Sequence, residues 1–572
     1  MSRLAHALFG VAVTAMTARA LEQRWLAENV QDPWTAGALL FGIPAAVALG
    51  TVLALLAGVV GGDPRRAFRD DALSSLAIFI AIFILAIGAL PRDAIGLVFV
   101  LAIVARIGPW AWWAARHDVP PAYAFAVAFS FYAPLVAWRV AASLPLGDQV
   151  FYLLSAEKLA HGSLDATIDP TRFFQFLGIP PASTDALTHV ADSPAGPRLV
   201  QGYALPALLA PGWVVGGEVG ATLVIALFAA WASMQTWLLL RETVPHLFAS
   251  RVTWLLVTFC APLALVALHV YANAVGAALI VTGFRYAFTA RTRRSALAGA
   301  LLGATAFLNP RDGLVLVALA PFALWWPRRD QIRFAAGAVA LVVTAAFVSL
   351  ITFGLPVPYA GYVFGTAAAQ SIDPQPTWNF RFWIGLPAIL FDRVFGVAGT
   401  APWILLAALG VAPALRADRA RLLPAAVAVG ASLALLSLFR LWEGGYAPPN
   451  RYLVDVLPLL APFAAFGVAL AGSTTARALE AIALRAFAAI IVGLSVLMTL
   501  FLLAVPSAAL NTAFEDKPQG LLMRALRIDP LGWLPSFQPV TPDWWIEAYL
   551  RLLPALAVFA SLLWLGLRRA RA

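Results

Sequence analysis

Asp148 stands where chemistry is easiest to place. It follows an apolar stretch that begins near residue 121 and closes on Leu144-Pro145-Leu146, and it opens the segment Gly147-Asp148-Gln149-Val150-Phe151-Tyr152. The pattern over 149–161 predicts a short helix along a membrane surface. Phe151, Leu154 and Leu159 would face lipid, and Glu157 and Lys158 would face water. Asp148 then sits at the N-cap. Two compatible roles follow: a cap for the helix start, or a partly desolvated carboxylate that takes a proton from a hydroxyl group.

Cations for an anionic substrate come next. Arg451, Arg311, Arg198, Arg381 and Arg393 all lie at the ends of apolar runs or in the loops joining them. A guanidinium offers paired donors with the spacing of phosphate oxygens. The plainer reading is an arginine that snorkels to the interface, or one that pairs with a neighbour, as Arg311 with Asp312 or Asp392 with Arg393. Glu443, followed by Gly444 and Gly445, suits sugar hydroxyls or a loop ion pair. His161 and His189 share a loop with Asp165, Asp169 and Asp185, but their spacings match no ligand motif. No residue is assigned to a metal, and a divalent cation is left open as an accessory. His269 reads as a histidine at the end of a span. No phosphate-binding glycine loop, dinucleotide fingerprint or zinc-protease helix occurs.

The elements that must carry these residues are membrane helices. The chain has 572 residues, 62% hydrophobic and only 12% charged, with a mean hydropathy of +0.83. That balance excludes a soluble enzyme, a disordered scaffold and a disulfide-stapled secreted domain; the lone Cys260 has no partner. Apolar runs long enough to cross a bilayer begin near 4, 35, 72, 94, 121, 215, 252, 271, 333, 398, 423, 451, 484 and 546. A further run over 297–326 is broken by Asn309-Pro310-Arg311-Asp312 and reads as two short helices meeting at a turn. The expectation is an all-α polytopic membrane protein of about 16 spans.

Charge placement sets the expected orientation. Arginine triplets fall at 65, 66 and 69; at 291, 293 and 294; at 328, 329 and 333; at 416, 419 and 421; and at 568, 569 and 571. From a cytoplasmic N-terminus all five come out on the cytoplasmic side, provided 297–326 is a hairpin. Both termini are then cytoplasmic, and the first apolar run reads as a span, not a cleaved signal. The net charge of +10 marks topology and contact with anionic lipid, not nucleic acid. Four longer loops fall outside, at 144–200, 355–397, 440–450 and 506–545. Many aromatics at these boundaries, such as Trp378, Trp383 and Trp545, suit an interfacial belt.

The loop after the span at 121, with its acidic residue and aromatic-rich helix, resembles the first extracytoplasmic loop of GT-C superfamily glycosyltransferases. Within that superfamily the chain resembles bacterial relatives of the dolichyl-phosphate-mannose mannosyltransferases. Asp148 matches the family's proposed base. Many members carry two acidic residues there, whereas Gly147-Asp148 supplies one. Gly196-Pro197-Arg198-Leu199, Leu308-Asn309-Pro310-Arg311-Asp312-Gly313, Phe391-Asp392-Arg393-Val394-Phe395-Gly396 and Trp442-Glu443-Gly444-Gly445-Tyr446 resemble further segments of the same superfamily.

The resemblance implies an inverting glycosyltransferase in a bacterial cytoplasmic membrane, with its site on the outer face. The expected partners are a polyprenyl-phosphate-linked sugar, a glycan, lipid or protein acceptor, and membrane lipids. Asp148 would be the base. Arg451, Arg311 and Arg198 would bind the donor phosphate, and Tyr152, Glu443, Tyr446 and Tyr452 would contact substrate. The expected organisation is an N-terminal block over 1–120, a catalytic core over 121–472 and C-terminal helices over 473–572. The competing class is a multi-span transporter or flippase, which would place ionisable groups near the bilayer midplane and show related halves.

Overall fold

The computed structural model describes residues 100–101, 103–104, 108, 111–143, 145–164, 190–290, 292–364, 382–439, 442, 447–472, 478–506, 532, 534–537 and 544–571. Of the described residues 79% are helical. Among the described residues, seven helices are long and apolar enough to cross a membrane. Shorter apolar helices at Ser295–Phe307, Phe382–Phe391, Pro402–Ala417 and Leu457–Gly472 add to them. The chain is thus a helical membrane protein. The expected spans near 4, 35 and 72 lie outside the described residues, and the one near 94 lies largely outside them.

Helix α1 (Pro121–Ala142) leads through Gly147 into α2 (Asp148–Ala160). Two features of α2 correct the expectation. It starts at Asp148, with Gly147 at the cap position and no capping bond from a side chain. It also does not lie on a lipid surface, because Gln149 through Ala156 are buried within the protein. Phe151 and Leu154, expected to meet lipid, pack inside the bundle, where α2 lies against α3 (Ala204–Thr243). The apolar face found a protein partner that local periodicity does not reveal.

Helix α3 runs well before the expected start near 215, and its backbone leaves helical geometry at Gly216 and Gly217. Past that break, residues 218 to 242 rise about 36 Å at 1.5 Å per residue. That suffices for a hydrocarbon core. Each end carries an ion pair between a buried arginine and a half-buried glutamate. Glu218 meets Arg139 of α1 near one end, while Glu242 meets Arg285 at the other. Arg421 donates to the Glu242 carbonyl there. The buried tryptophans find hydrogen-bond acceptors inside the bundle. The fully buried indoles of Trp237, Trp254 and Trp403 donate to the Val119 carbonyl, Ser233 Oγ and the Ala261 carbonyl at 2.8, 3.0 and 2.9 Å.

The run over 297–326 folds as read. Helix α4 (Ser295–Ala304) passes through a 3₁₀ turn (Thr305–Phe307) and meets α5 (Pro310–Ala323) at Asn309. Asn309 caps α5, its Oδ1 accepting from the Arg311 amide at 3.1 Å, and Pro310 takes the first helical position. Helix α6 (Arg328–Phe353) packs tightly on α4. A Cβ on Gly299 would sit 2.0 Å from the Phe334 carbonyl oxygen, and one on Gly337 would sit 2.1 Å from that of Ala296. Small residues here let two backbones touch.

Further along, α7 (Arg419–Ser437) and α8 (Leu457–Gly472) flank the segment that carries Arg451. Asp392 ties distant loops together. Its Oδ1 accepts from the amides of Val394 and Phe395, and its Oδ2 from that of Phe537, all at 2.8 Å. The one sheet among the described residues is a hairpin, Val190–Ser193 with Gly196–Leu199, antiparallel.

Candidate functional site

Two turns deliver the central residues. Gly147 adopts φ 57° and ψ −136°, a region open essentially to glycine alone. The chain can therefore leave α1 and start α2 immediately at Asp148. At the other side, Asn450 takes a left-handed conformation (φ 59°), which asparagine tolerates better than most residues. Its side chain is held by a 2.6 Å bond to Thr400 Oγ1. Arg451 then begins a 3₁₀ turn pointing back toward α2.

Arg451 Nη1 lies 3.2 Å from Asp148 Oδ2. Arg451 Nη2 donates to the Tyr452 hydroxyl at 3.0 Å. Its guanidinium also stands 4.4 Å from the Tyr271 ring centre and 4.7 Å from that of Tyr452. Burial works against the Arg451 charge, but Tyr452, Asp148 and Tyr271 more than offset it, and the group is held above its ordinary value. Arg311 lies over the Tyr452 ring at 3.6 Å, with its Nε donating to Asn309 Oδ1 at 3.2 Å. The Tyr452 ring thus joins two guanidinium groups. Arg451 Nε and Arg311 Nη1 are buried N–H donors with no hydrogen-bond partner.

Tyrosines line the rest. Tyr152 of α2 is within electrostatic reach of Tyr362, Asp148, Arg451 and Arg311. Tyr362 faces Asp148, Arg311, Tyr452 and Arg451. Burial first, then the Asp148 charge among other neighbours, pushes both phenols upward, so both stay protonated donors. Tyr359 bonds the Asn309 carbonyl at 3.1 Å and holds a left-handed backbone (φ 68°), the sort of local strain that a surrounding structure must enforce.

Beneath Arg311 lies a small, partly open cleft lined by Arg311, Asp312, Ser432, Tyr452 and Asp455 among others. Asp312 and Asp455 converge in it. A Cβ on Gly276 would fall 3.0 Å from Asp312 Oδ2 and 2.9 Å from Asp455 Oδ1. Asn273 Nδ2 donates to the other Asp455 oxygen at 2.8 Å. Among the described residues, no group of three or more His, Cys, Asp or Glu is placed to hold a metal ion.

The structure therefore gathers Asp148, Arg451, Arg311, Tyr152 and Tyr452 at one end of the bundle. Arg198 is engaged elsewhere, in the hairpin, where its Nε donates to the Thr352 carbonyl and its Nη1 to that of Pro197, both at 3.0 Å. Glu443, Tyr446, Arg381, His189, Asp165, Asp169 and Asp185 lie outside the described residues. His161 is exposed, with Nδ1 on the Glu157 carbonyl. His269 is buried, with Nδ1 2.8 Å from the Leu265 carbonyl oxygen. Asp392 accepts from three backbone amides, those of Val394, Phe395 and Phe537. Sequence reading missed Tyr362, Tyr359, Asn273 and Asp455. Of these only Asp455 carried a signal, as an acidic residue four positions after Arg451. No protein-family model matches the chain, and no curated protein matches it.

Proposed function

We propose that the chain is a membrane glycosyltransferase of GT-C type, taking a sugar from a polyprenyl-phosphate donor and passing it, with inversion, to a hydroxyl acceptor. The site would face the outside of a bacterial cytoplasmic membrane and build a cell-envelope glycan, glycolipid or glycoprotein. The observation that carries the reading is the placement of Asp148 against Arg451, with Arg311 on the far side of Tyr452.

The chemistry runs as follows. Asp148 accepts the proton of the acceptor hydroxyl. The acceptor oxygen, so deprotonated, forms a bond to the anomeric carbon as the bond from that carbon to the phosphate oxygen breaks. The phosphate leaves with the electron pair, and its growing charge meets Arg451 and Arg311, whose unpartnered N–H groups are available without rearranging the protein. Tyr152 and Tyr362 supply protonated hydroxyls for the sugar. In the free site Asp148 is occupied by Arg451, so donor phosphate would compete for the guanidinium and release the carboxylate.

Transport finds less support. The ion pairs of α3 lie towards the two ends of its membrane segment, at Glu218 and Glu242, and not at its middle.

The test uses purified protein in lipid vesicles with a panel of undecaprenyl-phosphate-linked sugars and candidate acceptors. Transfer by the wild type, lost in Asp148→Asn, supports the reading. Transfer that survives the substitution removes Asp148 as base, and no transfer from any donor removes the reading itself.

A further inference from the structure

We infer that Gln149, though it touches no proposed substrate position, is a positioning residue that aims Asp148, and that the Arg139–Glu218 pair, with its buried arginine, is its anchor. The inference rests on the reading of Asp148 as the base.

Gln149 is fully buried. Its Oε1 accepts from Arg139 Nη2 at 2.5 Å and from the Val270 amide at 3.1 Å, while its Nε2 donates to the Leu146 carbonyl at 3.2 Å. One side chain thereby joins the end of α1, the turn before α2 and the chain at 270. Arg139, fully buried itself, is neutralised by Glu218 just past the break in α3. Successive helical residues point about 100° apart. With Gln149 turned into the bundle and clamped, Asp148 is left on the side that meets Arg451.

Stability does not explain this arrangement. Exchanging the amide and the charge pair together for well-packed apolar side chains would cost little, whereas removing Gln149 alone strands Arg139 Nη2 and the Val270 amide. What the bonds do supply is a fixed rotation for the first turn of α2. Reacting geometry is sensitive to such rotation, and a displacement of about 1 Å costs on the order of a hundredfold in rate.

The charges around Arg139 give a test that packing alone does not mimic. One guanidinium faces one carboxylate and one amide. Gln149→Glu adds a carboxylate, Glu218→Gln removes one, and the double variant restores the original count with the two partners exchanged. The proteins would be compared in vesicles for kcat and donor KM with undecaprenyl-phosphate-linked sugars, for melting temperature, and for hydrogen exchange of amides 148–152. We expect Gln149→Leu to lower kcat about 10- to 100-fold with donor KM within about threefold. Amides 148–152 should exchange faster while those of α7 do not. Each charge-altering single variant should lose activity, and the double variant should recover most of it.

Unchanged kcat in Gln149→Leu overturns the inference. So does a parallel fall in kcat, melting temperature and α7 protection, with no rescue in the double variant. If the wild type transfers no sugar, the functional reading fails separately. Hydrogen exchange then decides whether Gln149 fixes the first turn of α2, and unaltered exchange there refutes it.

Discussion

Asp148 and Arg451, 303 residues apart in the chain, meet with Oδ2 and Nη1 3.2 Å apart. The pair is asymmetric: the arginine side chain is 10% exposed and the aspartate side chain 26%. Arg451 is fixed by Tyr271, Tyr452 and the turn at Asn450, whereas Asp148 has the more open side. A ligand that competes for the guanidinium would therefore displace the carboxylate rather than the arginine.

Asp148→Asn keeps the shape and removes the charge. On the proposed reaction it lowers kcat by about 10² to 10⁴, the usual contribution of a positioned base. Binding of undecaprenyl phosphate, measured by titration in nanodiscs, should be as tight as in the wild type or tighter, because Arg451 no longer has a competing anion. Weaker binding would contradict the displacement.

Arg451→Lys and Arg311→Lys keep one positive charge each but lose the planar fork. Donor KM should rise about tenfold or more in each, with the larger loss for Arg451, whose Nη groups also hold Asp148 and Tyr452. Steady-state kinetics over donor concentration checks this. An unchanged KM in both variants would remove them from the phosphate site.

Tyr452→Phe deletes the hydroxyl that Arg451 reaches and leaves the ring beneath Arg311, so its effect should be about fivefold, near 1 kcal/mol. Tyr452→Leu removes the ring as well, and with it the face on which Arg311 rests. It should cost several times more. Equal effects of the two substitutions would show that the ring does not organise the arginines.

Asp392→Ala strands three backbone amides, those of Val394, Phe395 and Phe537, around a fully buried position. The loss should be about 3 kcal/mol, visible as a lower melting temperature in detergent with donor affinity retained in what remains folded. Asp392→Asn, which keeps Oδ1 for two of the amides, should fall between Ala and wild type.

Parts of this arrangement are legible in the chain and parts are not. The hairpin at Asn309-Pro310 is plain because cap and breaker are adjacent, so local chemistry alone dictates it. Asp148, Arg451 and Arg311 stand out because charged residues are scarce and these three flank apolar runs. By contrast, the burial of α2 depends on α3, some fifty residues on, and its apolar residues look the same whether protein or lipid covers them. Tyr362 and Asn273 carry no local mark. They join the site only through packing between segments far apart in sequence. The clamp on Gln149 is hidden for the same reason, since an amide beside an aspartate gives no sign that its partners are Arg139 and Val270.

The contact of α4 with α6 also constrains traffic within the bilayer. Where a single Cβ on Gly299 would come within 2.0 Å of the facing backbone, no acyl or prenyl tail can thread between the two helices. That seam is closed to lipid, so any isoprenoid-borne molecule must approach Arg311 from another side of the bundle.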